Sequence, residues 1–551
     1  MLFAAVLSSA LFGLSHASDI GYHRSRDIQT QVVLDQGFFN GGSAGLTKFW
    51  LGIPYAKPPT GALRYRAPQG NDPYNGTYSA TAYGPSCLQQ SSGTASLPSN
   101  LTMEAQLFLR SYAQNTANMT KSNEDCLTVN VVTPLDVKPG TKLPVVVWIY
   151  GGGFTGGSSS TQNGSTIVQR SVELNLPIIY VSLNYRTGAV GFPQGSEARA
   201  AGVGNLGLRD QRQALRWVQK YIEAFGGDKT KVTIWGQSAG AISVSLQMLT
   251  NDGDTEDLFH AAWMHSGAPL PTGPIENGQE AWLSYLYSTN CTDGPAVFDC
   301  LRTLSAADIQ TAMNNASSAT SDWVPREDGI FLTSPPELLV SHGTVAKIPT
   351  VSGNVDDEGT LFILGADAIT TDELFAYYLS TLFPDNETAI ETLLELYPSD
   401  PAAGAPFDTG SANTVTPEWK RLAALSGDLT FTAPRRFFVQ TISDSQDTWV
   451  FLSKRFKALD DFGSYHASDL LNVYGPGDMT DYLVRFVTNQ DPNRGSSQSQ
   501  TRAAISWPKY TRESPQILEF LDGHVRLQVA QDTFRQAALA YDIDVSMHNT
   551  A

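Results

Sequence analysis

Four short apolar runs constrain this chain more than any other feature: LTVNVV (127–132), PVVVWIY (144–150), PIIYVSLNY (177–185) and KVTIWG (231–236). Each is nearly continuous in β-branched and aliphatic residues instead of alternating, as expected of parallel strands buried on both faces. Between the last two lies NLGLRDQRQALRWVQKYIEAFGG, whose Leu208, Ala214, Leu215, Val218, Ile222 and Phe225 recur at helical spacing. Gly226-Gly227 closes that helix as a C-cap pair. IPTVSGN (348–354) and DTWVFLS (447–453) read as further strands. Such alternation predicts an α/β protein with a large, mostly parallel sheet flanked by helices. No internal repeat or low-complexity linker divides the 551 residues, so one large domain is expected.

Within this frame, WGQSAGA (235–241) follows the strand KVTIW and precedes the helical pattern AISVSLQML. A strand–turn–helix context of this kind presents a serine as a nucleophile, with glycines flanking it because the turn is too sharp for side chains. The helix starting at Ser238 also aims the positive end of its dipole at developing negative charge. NGGSAGL (40–46) fits the same short pattern, but Ser43 sits between two strand-like runs with no helix after it. That stretch reads as a hairpin turn, and Ser238 is the candidate nucleophile.

A serine hydroxyl needs a base, and the base an orienting acid. Where the chain order is serine, acid, histidine, His466, His524 and His548 remain. His524 lies in a turn leading to a short strand, and His548 lies four residues from the end. His466, in the loop FGSYHASDLL after the strand DTWVFLS, is the candidate base. The acid is expected in NVDDEGT, where position alone leaves Asp356, Asp357 and Glu358 open. Backbone N–H groups for an oxyanion come from YGGGFTGG (150–157). A phosphate-binding loop is excluded because no Gly-Lys-Ser/Thr occurs. GVGNLG (202–207) matches a dinucleotide fingerprint but follows a polar stretch instead of a strand.

Charged residues make up only 16% of the chain and its net charge is −18, with no run of Lys or Arg. This balance argues against nucleic acid and anionic membrane surfaces as partners. The N-terminus is apolar from Leu2 to Leu14 and continues Ser15-His16-Ala17, which predicts a signal peptide over residues 1–17 and a secreted domain over 18–551. No later stretch reaches the ~18 apolar residues of a membrane span. Glycosylation sequons stand at Asn75, Asn100, Asn118, Asn163, Asn290, Asn315 and Asn386. The four cysteines, Cys87, Cys126, Cys291 and Cys300, allow three connectivities, of which neighbour pairing is the simplest. No C-x-x-C and no histidine pair at ligand spacing points to a metal.

Several long stretches together resemble the type-B carboxylesterase/lipase family, which includes cholinesterases and secreted fungal lipases. They are LGIPYAKPPTGALRYRAP (51–68), NEDCLTVNV (123–131), WIYGGGF (148–154), GNLGLRDQRQALRWVQKYIEAFGGD (204–228), WGQSAGA and DDEGTLF (356–362). The resemblance runs from about residue 30 to WPKYT (507–511). It implies an α/β-hydrolase fold with nucleophile Ser238, acid Glu358, base His466 and oxyanion N–H groups on Gly152, Gly153 and Ala239. It further implies the disulfides Cys87–Cys126 and Cys291–Cys300, an Arg64–Glu124 ion pair, and no metal or cofactor.

By the same resemblance, the chain is expected to hydrolyse carboxylic esters through an acyl-enzyme, with hydrophobic acyl esters as substrates. The segment between Cys87 and Cys126 resembles a lid that meets an oil–water interface, and LTMEAQLFLRSYAQ (101–114) within it reads as a helix with an apolar side. The alternatives are an esterase for a small or natural-product ester and a non-catalytic adhesion member of the fold. Two positions depart from the family. Gln237 stands where a glutamate usually precedes the serine, and residues 88–125 contain no Trp, which disfavours choline esters. Ser266, in HSGA, is expected to hydrogen-bond near the acid.

Overall fold

The computed structural model describes residues 29–90, 100–117, 119–316, 323–475, 477–493 and 505–548. The expected signal peptide lies outside these residues. The strands are β1 (Gln31–Leu34), β2 (Gln36–Asn40), β3 (Gly42–Ala44), β4 (Thr47–Pro54), β5 (Asn75–Ser79), β6 (Thr128–Pro134) and β7 (Leu143–Ile149). They continue with β8 (Ile179–Leu183), β9 (Gly227–Gln237), β10 (Ala261–His265), β11 (Thr350–Val355), β12 (Thr448–Lys454), β13 (Gln516–Leu521) and β14 (Leu527–Gln531). Strands β1, β2 and β5 form a small separate sheet. The others form one 11-stranded sheet in the order β14-β13-β12-β11-β10-β9-β7-β8-β6-β4-β3.

From β8 to β13 every neighbouring pair is parallel. LTVNVV departs from the expectation: β6 runs antiparallel to both β4 and β8. Its residues are all buried, so the continuous apolar run reports burial on both faces and carries no information about direction. Ser43 lies on β3, paired antiparallel with β4 in the expected hairpin.

The parallel strands share a belt of large rings. Trp148, Trp235 and Trp263 stand in register on β7, β9 and β10, with Val351 and Trp449 continuing the row on β11 and β12. The four indoles are buried, and Trp148 and Trp235 meet with centroids 4.4 Å apart. Truncating one such ring costs about 3–5 kcal/mol. The helix Leu206–Tyr221 lays Leu208, Ala214, Leu215 and Val218 into this core. A second apolar cluster joins Leu101, Ala105 and Leu109 to Phe375, Leu379, Leu393, Trp419 and Leu422. The cluster draws on the helices Met103–Ala117, Asp372–Leu382, Glu387–Leu396 and Trp419–Gly427. Among the described residues no helix is long and apolar enough to cross a membrane.

Candidate active site

The candidate residues gather at the C-terminal ends of β7, β9, β11 and β12, where open α/β sheets collect their ligands. Strand β9 ends at Gln237, and Ser238 takes φ 57° and ψ −130° before the helix Ala239–Gln247 begins. The flanking glycines are required by contact. A Cβ on Gly236 would stand 2.4 Å from the Gly240 carbonyl, and one on Gly240 would stand 2.0 Å from the Ile149 carbonyl oxygen. Ser238 N–H donates to His265 O at 2.8 Å, which stitches the turn to β10. The serine side of the turn remains partly exposed.

The loop after β7 passes directly against this turn, since a Cβ on Gly151 would lie 2.8 Å from Ser238 Cβ. Gly152 and Gly153 hold φ of 120° and 59°. At Gly152 an added Cβ would meet the Gly156 carbonyl at 2.5 Å. Thr155 and Gly156 both donate to Gly152 O and close the turn. The N–H groups of Gly152 and Gly153 have no acceptor among the described residues. Ala239 opens its helix, so its N–H lacks an intrahelical acceptor.

His466 and Glu358 meet with Nδ1 2.6 Å from Oε2, both side chains buried. The other carboxylate oxygen of Glu358 accepts from Asn354 Nδ2 at 3.1 Å and Val355 N at 2.9 Å. Asn354 is held in turn by Arg435 Nε at 2.9 Å. Two rings flank the imidazole, Phe431 at 4.5 Å and Phe362 at 5.0 Å.

The three acids that spacing left open have separate fates. Glu358 reaches His466. Asp357 turns away, accepting from Phe407 N and Ser464 N at 2.8 and 2.7 Å and from Lys457 Nζ at 2.7–2.8 Å. Its own N–H donates to Ser464 O, so Asp357 clamps the acid loop to the histidine loop. Burial, and next the charge of Asp356, push the Asp357 carboxyl up to about 6 against the pull of Lys457. Asp356 makes an ion pair with the same lysine at 2.6 Å.

At its other nitrogen the imidazole meets an unexpected partner. Gln237 Nε2 lies 3.0 Å from His466 Nε2, and no hydrogen bond joins His466 to Ser238 Oγ among the described residues. Catalytic hydrogen bonds are often unformed before substrate binds. A second histidine–acid pair also escaped the sequence. His265 Nδ1 meets Asp469 Oδ2 at 2.6 Å with both side chains fully buried. Ser266 corrects an expectation: its buried hydroxyl has no partner among the described residues, while its N–H donates to Gly353 O.

Cys87 is bonded to Cys126 and Cys291 to Cys300. Arg64 grips Glu124 with Nε and Nη2 at 2.5 and 2.7 Å. Of the sequon asparagines, Asn75, Asn100, Asn163, Asn290 and Asn315 are exposed. Asn386 is half-buried and accepts Ala389 N–H as a helix cap, and Asn118 lies outside the described residues.

The Carboxylesterase family model matches residues 28–539. The chain belongs to the carboxylesterase family. This family member is a carboxylic ester hydrolase with an α/β-hydrolase fold. It is 37% identical to "Lipase 4" of Diutina rugosa, over 92% of this chain and 94% of that protein. To "Secreted lipase 1" of Botryotinia fuckeliana (strain B05.10) it is 38% identical, over 86% and 85% of the two chains. The crystal structure of Aspergillus niger EstA superimposes with a TM-score of 0.79, covering 96% of this chain and 100% of that one. At 24% identity that likeness speaks for the fold.

Proposed function

We propose that this carboxylesterase-family chain is a secreted serine esterase that cleaves hydrophobic acyl esters, as a lipase does. Ser238 Oγ attacks the ester carbonyl while His466 Nε2 takes its proton, and Glu358 holds the ring and stabilises the imidazolium. The N–H groups of Gly152, Gly153 and Ala239 receive the oxyanion. The alcohol leaves carrying the proton from His466, and water then releases the acid from Ser238. The observation that carries this reading is the 2.6 Å His466–Glu358 pair, set beside a serine held at φ 57° on a strand–helix turn.

Hydrophobic substrates are favoured by the rings at the base and by the names of the relatives. Phe362 stands beside His466 and is 47% exposed. On the helix Met103–Ala117, Met103 and Leu107 are exposed while Ala105 and Leu109 are buried. Its Phe108 packs on Tyr465, the neighbour of the base, with centroids 4.6 Å apart. This helix is the part of the Cys87–Cys126 segment that we assign to a lid facing an oil–water interface. Residues 1–17 are taken as a signal peptide and 18–551 as one domain, and secretion agrees with a relative named as a secreted lipase.

The reading is tested by Ser238→Ala together with labelling by an organophosphonate. Loss of several orders of magnitude in kcat is expected, with label on Ser238 in the wild-type chain alone. Undiminished hydrolysis by the variant would refute it. The lipase assignment requires a jump in rate when a short ester passes its solubility limit. A smooth saturation curve marks a non-lipolytic esterase instead.

A further inference from the structure

Besides Glu358, the one side chain among the described residues that hydrogen-bonds the imidazole of His466 is Gln237. Its position is well fixed. Gln237 is the last residue of β9, 5% exposed and in register with His265 on β10. The amide lies between the base and the oxyanion loop, since a Cβ on Gly151 would stand 3.0 Å from Gln237 Oε1.

The chemistry of the contact follows from the other end of the ring. Glu358 accepts at Nδ1, so in the neutral imidazole Nδ1 carries the proton and Nε2 offers a single lone pair. Gln237 must then present its NH2 group, the assignment the 3.0 Å contact requires. The same lone pair is the one Ser238 needs. When the ring becomes imidazolium, Nε2 turns donor and the amide meets it with its carbonyl instead. A glutamine serves both states at no cost in charge. A carboxylate at this position offers acceptors only and favours the imidazolium.

The charges on the neighbouring described segments are paired elsewhere. Asp357 is tied to Lys457 behind Ser464, and Asp469 to His265 on the loop that follows. The segment carrying Phe431 brings Asp428, which Arg535 holds at 2.7 and 2.8 Å. Among the described residues, Glu358 alone of the acids hydrogen-bonds the imidazole.

We propose that Gln237 is a positioning residue for His466. Its neutral amide meets Nε2 in either ring state and keeps that side of the ring free of fixed charge, so the base works in more acid solution than a carboxylate there permits. The inference rests on the serine reading above.

The test is the pH profile of kcat/KM on a soluble short-chain ester for wild type, Gln237→Glu and Gln237→Met, with competent sites counted by organophosphonate. Gln237→Glu should move the acid limb up by about one pH unit, while the neutral Gln237→Met leaves it within about 0.3 unit of wild type. Coincident limbs in all three proteins overturn the proposal. So does an equal shift in both variants, because repacking and not charge would then be the cause. Should a variant fail to fold, nitrogen NMR of the wild-type imidazole decides. An unprotonated Nε2 that accepts a hydrogen bond at neutral pH supports the inference, and a protonated one overturns it. A wild-type chain that neither labels at Ser238 nor hydrolyses the ester removes the serine reading and this inference with it. Labelling with coincident limbs removes the inference alone.

Discussion

Gln89 holds Gly157 by both of its main-chain polar groups, donating Nε2–H to the carbonyl at 2.8 Å and accepting the N–H on Oε1 at 3.2 Å. Beside this clamp, Gln90 N–H donates to Thr155 O at 2.9 Å. The chain leaving the Cys87–Cys126 disulfide is therefore fastened to the far limb of the loop that carries Gly152 and Gly153. That limb supports the turn, because Thr155 and Gly156 close onto Gly152 O. Gln89→Ala should lower kcat about tenfold with KM changed far less, the signature of an interaction felt in the transition state. Steady-state kinetics on a soluble ester check it. A raised KM with kcat unchanged would point to substrate binding instead.

Asp357 braces the loop that carries His466 without touching the imidazole. Each of its oxygens accepts one backbone N–H, from Phe407 on one side and Ser464 on the other, and Lys457 bridges both. An asparagine has only one acceptor to offer, so in either orientation its NH2 faces a backbone donor. Leaving such a buried donor unmet costs about 1–3 kcal/mol. Asp357→Asn should therefore lower the melting temperature and reduce kcat about tenfold as the histidine loop loosens. Glu358→Gln should cost on the order of 10³–10⁴ in kcat while melting near wild type, following the loss of the correct tautomer. Melting curves and kcat measured side by side separate the two roles.

These contacts also mark where the sequence stops being informative. Ser238 is legible because the turn's geometry forces glycines at 236 and 240, and the requirement is written locally. The parallel strands are legible because burial on both faces leaves continuous apolar runs. The direction of β6 is not, since burial is blind to chain polarity. Asp356, Asp357 and Glu358 are adjacent, and no spacing argument separates three neighbouring carboxylates whose targets lie on other loops. The pairs His466–Gln237 and His265–Asp469 span 229 and 204 residues. A polar side chain carries no local mark of a partner so distant.

Gly240 should tolerate nothing larger. An alanine Cβ there would stand 2.0 Å from Ile149 O and 2.8 Å from Tyr150 O, both backbone atoms that cannot turn aside. Such overpacking costs upwards of about 3 kcal/mol where the backbone has to move. Gly240→Ala should give little folded protein, and that little should label poorly with organophosphonate. Gly365→Ala is the control, because no heavy atom lies within 4 Å of its added Cβ. A normal yield and normal labelling for Gly240→Ala would mean that the turn relaxes more easily than its contacts imply.

Asp542, on the helix Gln536–His548, makes the fold sensitive to pH far from the active site. Tyr397 OH lies 2.5 Å from its Oδ2 and 3.1 Å from Asp428 Oδ2, while Asp542 Oδ1 is buried without a partner among the described residues. Burial, and then the Asp428 charge, hold the Asp542 carboxyl well above its ordinary range, against the Tyr397 hydrogen bond and Arg535. The folded chain thus favours the protonated acid more than the unfolded chain does. The contribution to stability is full below the unfolded value of about 3.9 and is lost as pH rises through the raised folded value. Asp542→Asn keeps the shape, still accepts from Tyr397 and cannot ionise. Its melting temperature should match wild type near about pH 4 and exceed it by a margin that widens toward about pH 7. A constant difference across that range would show that Asp542 does not titrate in the fold as its surroundings require.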